Sequence, residues 1–250
     1  MNYACEMEKT APKKEATYPM RINRYLALRG DCSRREADVL IGKGIVTING
    51  KKAKIGDKVN ENDVVVLDGK TQQEMKKYVY FAYNKPMGIV THSPKDGQKS
   101  IKDVVYSAED VFPVGRLDKN SHGLIILTND GRVNEKLLNP EYDHEKEYMV
   151  TVNKPITNIF LKVMGQGVQL EDFKTKPCKV DKKNETLFHI MLTEGKKHQI
   201  RRMCANLGWN VVDLKRVRIM NIKIGSLGSG QQRKFQGEEL EIFLKSLGIK

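Results

Sequence analysis

Asp118 is the residue whose type and setting most clearly suggest chemistry. It lies in a polar loop between a short apolar segment that begins at Phe112 and the apolar run 124–127, which is bounded by turn residues and predicts a buried strand. A loop held between rigid strands fixes a side chain while leaving it accessible to a substrate. The pattern favours a catalytic carboxylate, and an aspartate in a solvated turn is the alternative that it leaves open.

The same loop has the residue spacing of a calcium-binding loop at four positions, but it lacks a ligand that such a site requires. Asp118, Asn120, His122 and Gly123 have the spacing of its first, third, fifth and sixth positions. The twelfth position is Asn129, whereas such a site requires a bidentate glutamate. The chain also lacks Rossmann, P-loop and metalloprotease motifs, and its four cysteines are far apart. We therefore predict no metal and no cofactor, nucleotide cofactors included.

The charge of the chain predicts a polyanionic partner. The 250 residues include 44 Lys and Arg against 31 Asp and Glu, which gives a formal net charge of +13. Residues 192–223 hold eight basic and two acidic residues, which favours an RNA-binding cleft, although a solvated basic face would give the same count. No apolar run is long enough to span a bilayer, so we expect a cytoplasmic protein without a membrane partner.

The elements that must position these residues fall into two predicted domains, and the fold class is α+β. Residues 1–19 are polar and aperiodic and predict a flexible tail. In residues 20–69, the capping box that begins at Ser33 and the turn dipeptide Asn49-Gly50 predict a helix-helix-hairpin domain. Residues 70–78 predict a linker. Residues 79–250 predict a larger domain with a mixed, mainly antiparallel sheet and flanking helices.

The first domain resembles the S4 family of RNA-binding domains. The resemblance rests on the order of its elements and on Cys-Ser-Arg-Arg-Glu-Ala at residues 32–37, and it covers the whole module. In that family the two helices face the RNA backbone. The resemblance therefore implies that Arg34 and Arg35 bind RNA, whereas arginines on a helix surface are otherwise usually solvated.

The second domain resembles a family of RNA-modifying enzymes. Its similar segments are Gly-Arg-Leu-Asp at 115–118, Leu-Thr-Asn-Asp-Gly at 127–131, Lys-Glu-Tyr at 146–148 and Gln-Ile-Arg-Arg-Met at 199–203. They are similar to the signatures of the RsuA/RluB/RluE/RluF group of pseudouridine synthases, and segments 143–148, 154–157 and 216–221 are most similar to the RluF branch. His198 departs from the group, which more often has Arg there.

This resemblance implies an isomerase that converts a specific uridine of RNA to pseudouridine by base flipping. Asp118 is the implied catalytic carboxylate, Tyr148 stacks on the flipped base, and Arg201 is the expected guanidinium partner of Asp118. The expected substrate-binding residues are Lys85, Arg116, His198, Ile200 and Arg202, together with Arg34 and Arg35 in the first domain.

The target RNA is the least determined part of this expectation. We expect 23S ribosomal RNA as the substrate of a monomeric enzyme. Transfer RNA is one alternative, and it would change the substrate only. A noncatalytic RNA-binding or ribosome-assembly protein is the other, and it would leave Asp118, Tyr148 and Arg201 with structural roles.

Overall fold

The fold was analysed in a computed structural model, which describes residues 18–29, 31–68, 78–105, 107 and 110–249. The chain divides into two units, Met1–Lys77 and Tyr78–Lys250. Residues 1–17 of the predicted tail and residues 70–77 of the predicted linker lie outside the described residues, as does Gly30.

The described part of unit 1 has one short strand, then two helices, and then four more short strands. Its elements are β1 (Met20–Arg21), α1 (Ile22–Arg29), α2 (Arg34–Gly42), β2 (Val46–Ile48), β3 (Lys51–Lys52), β4 (Lys58–Val59) and β5 (Val65–Leu67). Strand β2 pairs with β3 and β5, and β1 pairs with β4, all antiparallel. The order agrees with the predicted helix-helix-hairpin domain.

Local sequence signals explain where these elements begin and turn. The Ser33 hydroxyl accepts a hydrogen bond from the Glu36 amide at 3.2 Å, and the Glu36 carboxylate accepts one from the Ser33 amide at 2.8 Å. The predicted capping box therefore starts α2. Asn49 and Gly50 both have positive φ, as the predicted turn between β2 and β3 requires.

Unit 2 is built on one large sheet. Its strands are β6 (Tyr80–Lys85), β7 (Phe112–Val114), β8 (His122–Thr128), β9 (Lys146–Val152), β10 (Lys179–Lys182), β11 (Leu187–Leu192), β12 (Val211–Ile219), β13 (Ile222–Lys223) and β14 (Gln232–Lys234). Its α-helices are α3 (Ile101–Val104), α4 (Gly131–Leu138), α5 (Asn158–Gln166), α6 (Gln199–Asn206) and α7 (Glu238–Ser246), with a 3-10 turn at Pro140–Tyr142.

The sheet is mixed and mainly antiparallel, which confirms the predicted α+β class. Its main path runs β10-β11-β9-β12-β8-β6-β14, while β7 pairs with β8 and β13 pairs with β12. The parallel contact is between β8 and β12. Strand β12 is 9 residues long, and this length lets it bridge β9 and β8.

Two apolar layers hold the helices against this sheet. Buried residues of α5 and α6, such as Phe160 and Met203, pack with β9, β11 and β12. Buried residues of α4 and α7, such as Val133 and Phe243, pack with β6 and β8. None of the helices that the described residues form is long and apolar enough to cross a membrane.

Gly123 allows the two parallel strands to approach each other at the centre of the sheet. Its φ is +104°, and an added Cβ would lie 2.3 Å from the backbone oxygen of Arg216. The paired register places Lys85, Gly123, Arg216 and Tyr148 in one row across β6, β8, β12 and β9. Directly paired residues share a face of a sheet, so this row brings distant parts of the sequence together.

We predict that Gly123→Ala destabilises the protein. The new methyl group must displace backbone atoms of β12 while its residue occupies a strained φ, and we expect a loss of roughly 2 to 4 kcal/mol in the free energy of unfolding. Urea-induced unfolding measures this loss. Gly195→Ala is the control, because an added Cβ there meets no atom within 4 Å. Equal unfolding midpoints for the two variants would contradict the predicted role of Gly123.

Candidate active site

Asp118 lines an open cleft in unit 2 with a volume of about 520 Å³. One wall is apolar and includes Leu192, Ile200 and Leu214. The remaining lining residues are Arg116, Leu117, Asp118, Ser121, Tyr148, Glu194, Gly195, Lys196, Lys197, His198 and Gln199. The cleft therefore combines the partly exposed carboxylates of Asp118 and Glu194 with one aromatic ring and several exposed cations.

The backbone of the Asp118 loop, residues 115–120, is held at every carbonyl. Each carbonyl oxygen lies within hydrogen-bonding distance of a nitrogen or hydroxyl outside or at the end of the loop. The pairs are Gly115 with His92 Nε2 (3.2 Å), Arg116 with Arg216 Nη1 (3.4 Å), Leu117 with Thr91 Oγ1 (2.7 Å), Asp118 with the Ser121 amide (3.0 Å), Lys119 with the Gly88 amide (2.8 Å) and Asn120 with Arg201 Nη2 (2.6 Å). The loop is irregular, yet its position is fixed.

The side chain that pairs with Asp118 is the imidazole of His198. Its Nε2 lies 3.5 Å from Asp118 Oδ1, and the two side chains are 51% and 42% exposed. His198 has a left-handed backbone conformation (φ 52°) just before α6. Because a non-glycine residue rarely adopts this conformation, its neighbours must hold it there.

Gln199 provides that support. Its buried amide accepts a hydrogen bond from the Lys196 amide at 3.0 Å and donates one to the Glu194 carboxylate at 2.6 Å. The same Glu194 oxygen accepts a bond from the Lys176 amide at 3.0 Å. The side chain of Gln199 thus closes the turn that presents His198 to Asp118.

Arg201 does not have the position that we expected. Its guanidinium donates to the carbonyl oxygens of Asn120 (2.6 Å) and Val211 (3.2 Å), and the described residues show no ion pair between Arg201 and Asp118. The planar guanidinium, which extends from the first turn of α6, reaches carbonyl oxygens of the loop and of β12. Arg201 therefore fixes the end of the Asp118 loop.

Lys85 also differs from its prediction as an RNA-binding residue. It is fully buried, and its ammonium donates to the carbonyls of Pro86 (2.9 Å) and Ile89 (2.7 Å). A side chain without exposed surface cannot reach a phosphate. Burial, reinforced by the charge of Arg216, lowers the pKa of Lys85 to about 8, while Asp118 acts in the opposite direction.

The other arginines that were predicted to contact RNA lie in three different environments. Arg116 is exposed on the cleft lining. Arg202 forms an ion pair with Asp172 and is not part of the lining. Arg34 and Arg35 are exposed in the first turn of α2, in unit 1.

Two parts of the chain match families of known proteins. Residues 79–206 match the family model of RNA pseudouridylate synthases, and residues 20–65 match that of the S4 domain. The chain belongs to the RNA pseudouridylate synthase family. The family resemblance and the S4 resemblance predicted from the sequence are therefore confirmed, and the chain is an isomerase of RNA uridines.

Relatives of this synthase include curated proteins and a solved structure. The dual-specificity RNA pseudouridine synthase RluF of Escherichia coli O6:H1 is 46% identical over 88% of this chain and 77% of its own. Ribosomal large subunit pseudouridine synthase B of Bacillus subtilis is 33% identical over 88% of this chain and 94% of its own. A crystal structure of a pseudouridylate synthase matches with a TM-score of 0.66 and 27% identity, over 91% of this chain and 99% of that one.

Sequence reasoning missed several residues that shape the synthase site. Thr91 holds both the amide and the carbonyl of Leu117, at 3.0 and 2.7 Å. Ser121 lies in the cleft lining with a buried hydroxyl that has no hydrogen-bond partner among the described residues. Gln199 was within a recognised motif, but only its buried position shows its role. Polar type and position within a motif were the available signals, and neither reveals the direction of a side chain.

We predict that Gln199→Leu slows the synthase while leaving its fold intact. The variant removes both hydrogen bonds of the amide, so His198 loses its fixed position relative to Asp118, and we expect a decrease of about tenfold or more in the single-turnover rate. Quantifying pseudouridine formed in a stoichiometric reaction with RNA measures this rate. Gln169→Leu is the control, because that amide donates to the Leu170 carbonyl outside the cleft lining. A Gln199→Leu enzyme as fast as the control would disprove the role.

Proposed function

We propose that this synthase isomerises a uridine of large-subunit ribosomal RNA and that Asp118 is its catalytic carboxylate. The observation that carries the proposal is the setting of Asp118. It is an exposed carboxylate on a loop whose carbonyls are all held, in a cleft that also presents Tyr148 and cationic side chains. This combination supports attack on, or proton removal from, a ribose held at fixed geometry.

The proposed reaction conserves atoms and charge. The bond from ribose C1′ to N1 of uracil breaks, the base rotates, and a bond from C1′ to C5 forms. C5 loses a proton, and N1 gains one. Asp118 acts on the ribose as an ionised carboxylate, either as a nucleophile at C1′ or as a base at C2′, and the chemistry consumes no second substrate.

Tyr148 and the apolar wall of the cleft suit a base that has left the RNA stack. An enzyme acting on C1′ must extrude the nucleotide, and an aromatic ring provides a stacking surface for the base. Tyr148 is assigned this role and a part in proton transfer, with Ile200 as the apolar contact. The exposed cations Arg116, Lys196 and Lys197 are assigned to the phosphates beside the target nucleotide.

The preference for large-subunit ribosomal RNA draws on the named relative from Bacillus subtilis. An enzyme that modifies ribosomal RNA must share a compartment with it, so the proposal includes a cytoplasmic location. It also includes a monomeric enzyme.

Unit 1 contributes a second RNA contact in this proposal. Arg34 and Arg35 lie exposed in the first turn of α2, where the helix dipole disfavours positive charge. Two arginines in the first turn of a helix do not stabilise that helix, so binding of an anionic ligand explains them better. Arg29 is excluded from this surface, because its side chain is 9% exposed, pairs with Asp31 and donates to the Val65 carbonyl at 2.8 Å.

We predict that Asp118→Asn abolishes pseudouridine formation. The amide can neither attack nor accept a proton, so we expect the single-turnover rate to fall by at least about a thousandfold, with RNA affinity changed by no more than about threefold. Mapping pseudouridines in 23S ribosomal RNA, from cells that carry the wild type or the variant, tests the activity and the substrate together. Asp213→Asn removes the same charge outside the cleft lining, from the partner of His122, and should remain active. A fully active Asp118→Asn enzyme would refute the assignment.

We predict that replacing Arg34 and Arg35 together by Gln weakens RNA binding without destabilising unit 1. Loss of two phosphate contacts should reduce affinity by about tenfold or more and lower the slope of log K against log salt by about two. Filter binding across a salt series measures both quantities. The double Lys variant keeps the charges and serves as the control. Unchanged affinity and slope in the double Gln variant would exclude this RNA contact.

A further inference from the structure

Thr91 contacts the Asp118 loop through a buried hydroxyl group. Thr91 lies in the irregular segment that follows β6, and the residue is 5% exposed. Its Oγ1 donates a hydrogen bond to the carbonyl of Leu117 at 2.7 Å and accepts one from the amide of Leu117 at 3.0 Å. One hydroxyl therefore satisfies both polar backbone groups of the residue that immediately precedes Asp118.

The direction of the Asp118 side chain depends on the two peptide groups that meet at its Cα atom. A peptide group is planar, so a hydrogen bond to its oxygen restrains the whole group. The group before Asp118 contains the Leu117 carbonyl, which Thr91 holds. The group after it contains the Asp118 carbonyl, which accepts a hydrogen bond from the Ser121 amide at 3.0 Å. The second bond closes a turn at the end of the loop, whereas the first ties Asp118 to a different part of unit 2.

Two further contacts join the same segment to the loop. The Gly88 amide donates to the Lys119 carbonyl at 2.8 Å, and His92 Nε2 lies 3.2 Å from the Gly115 carbonyl. Residues 88, 91 and 92 thus contact residues 119, 117 and 115, in antiparallel order. Gly88 and His92 are exposed, so water competes for their hydrogen bonds, whereas Thr91 is buried. Of the three contacts, the one made by Thr91 is therefore the hardest for water to replace.

Thr91 is held in turn through its neighbour in the chain, Val90. The Val90 amide donates to the Lys99 carbonyl at 3.0 Å, and the Val90 carbonyl accepts from the Ile101 amide at 3.0 Å. Ile101 begins α3, is 2% exposed and belongs to the same apolar cluster as Ile125 of β8. The support of Thr91 therefore extends to the sheet.

We propose that Thr91 is a positioning residue that holds the carboxylate of Asp118 at the geometry that its reaction with ribose requires. The proposal rests on the catalytic role of Asp118 proposed above, and it extends the machinery to a residue outside the cleft lining. The side chain of Asp118 is 42% exposed, so its position depends more on its backbone than on packing around it. A displacement of about 1 Å at a reacting group costs on the order of a hundredfold in rate.

Thr91→Val tests the proposal, because valine has the shape of threonine but can neither donate nor accept a hydrogen bond. At saturating RNA, we expect the single-turnover rate to fall by about tenfold or more. RNA affinity should stay within about threefold, since Thr91 is buried. The Leu117 amide should exchange its hydrogen faster, as measured by mass spectrometry of a peptide that contains it. Thr91→Ser keeps the hydroxyl and should restore the rate to within about threefold of the wild type.

Thr128→Val is the matched control. The Thr128 hydroxyl also donates to a carbonyl, that of Val79 at 2.6 Å, and accepts from an amide, that of Asp130 at 3.0 Å. Thr128 is fully buried and does not line the cleft. Its replacement should lower the urea midpoint of unfolding about as much as Thr91→Val does, because both variants leave a buried amide and a buried carbonyl unpaired. The single-turnover rate of the folded control should stay within about twofold of the wild type.

A Thr91→Val enzyme as fast as the Thr128→Val control overturns the proposal. A Thr91→Ser enzyme as slow as Thr91→Val also overturns it, because the hydroxyl would then not be the cause. Should Thr91→Val fail to fold, Thr91→Cys replaces it: a thiol is a weak donor, so we expect a decrease of about threefold or more, and the wild-type rate overturns the proposal. Full activity in Asp118→Asn would instead refute the proposed function on which this inference depends, whatever the exchange at Leu117 shows.

Discussion

The site depends on the hydrogen bonds that fix the backbone of the Asp118 loop. An irregular segment has no internal ladder to stabilise it, so each polar backbone group must find a partner elsewhere. In residues 115–120 every carbonyl has one. The partners come from β12, α6 and the segment that follows β6, except for the amide of Ser121 at the end of the loop. The carboxylate that we propose as catalytic gains the rigidity of the sheet in this way without being buried in it.

The central strands make these partners available. Arg216 reaches the loop because β12 lies directly against β8, and β12 can lie there because residue 123 has no Cβ. The same register aligns Lys85 and Tyr148 with that contact, although they are far apart in sequence. Close packing at one glycine thus lets Arg216 reach the loop from a neighbouring strand.

The sequence predicted the elements better than the directions of their side chains. The capping box at Ser33 and the Asn49-Gly50 turn are local, so their chemistry is complete within a few residues, and both form as predicted. Lys85 and Arg201 were recognised as site residues but given exposed or paired positions that they do not have. Their environments are created by strands that are distant in sequence, which no local pattern contains.

The described cations in and beside the cleft fall into an exposed set and a buried set. Arg116, Lys196 and Lys197 face solvent, where salt screens charge, and in the proposed function they attract the phosphates of RNA. Lys85 and Arg216 are buried, and they donate hydrogen bonds to the carbonyls of residues 86, 89, 116 and 124. Because a buried donor must find its partner inside the protein, the buried set holds the backbone around the cleft, and the exposed set stays available for a ligand.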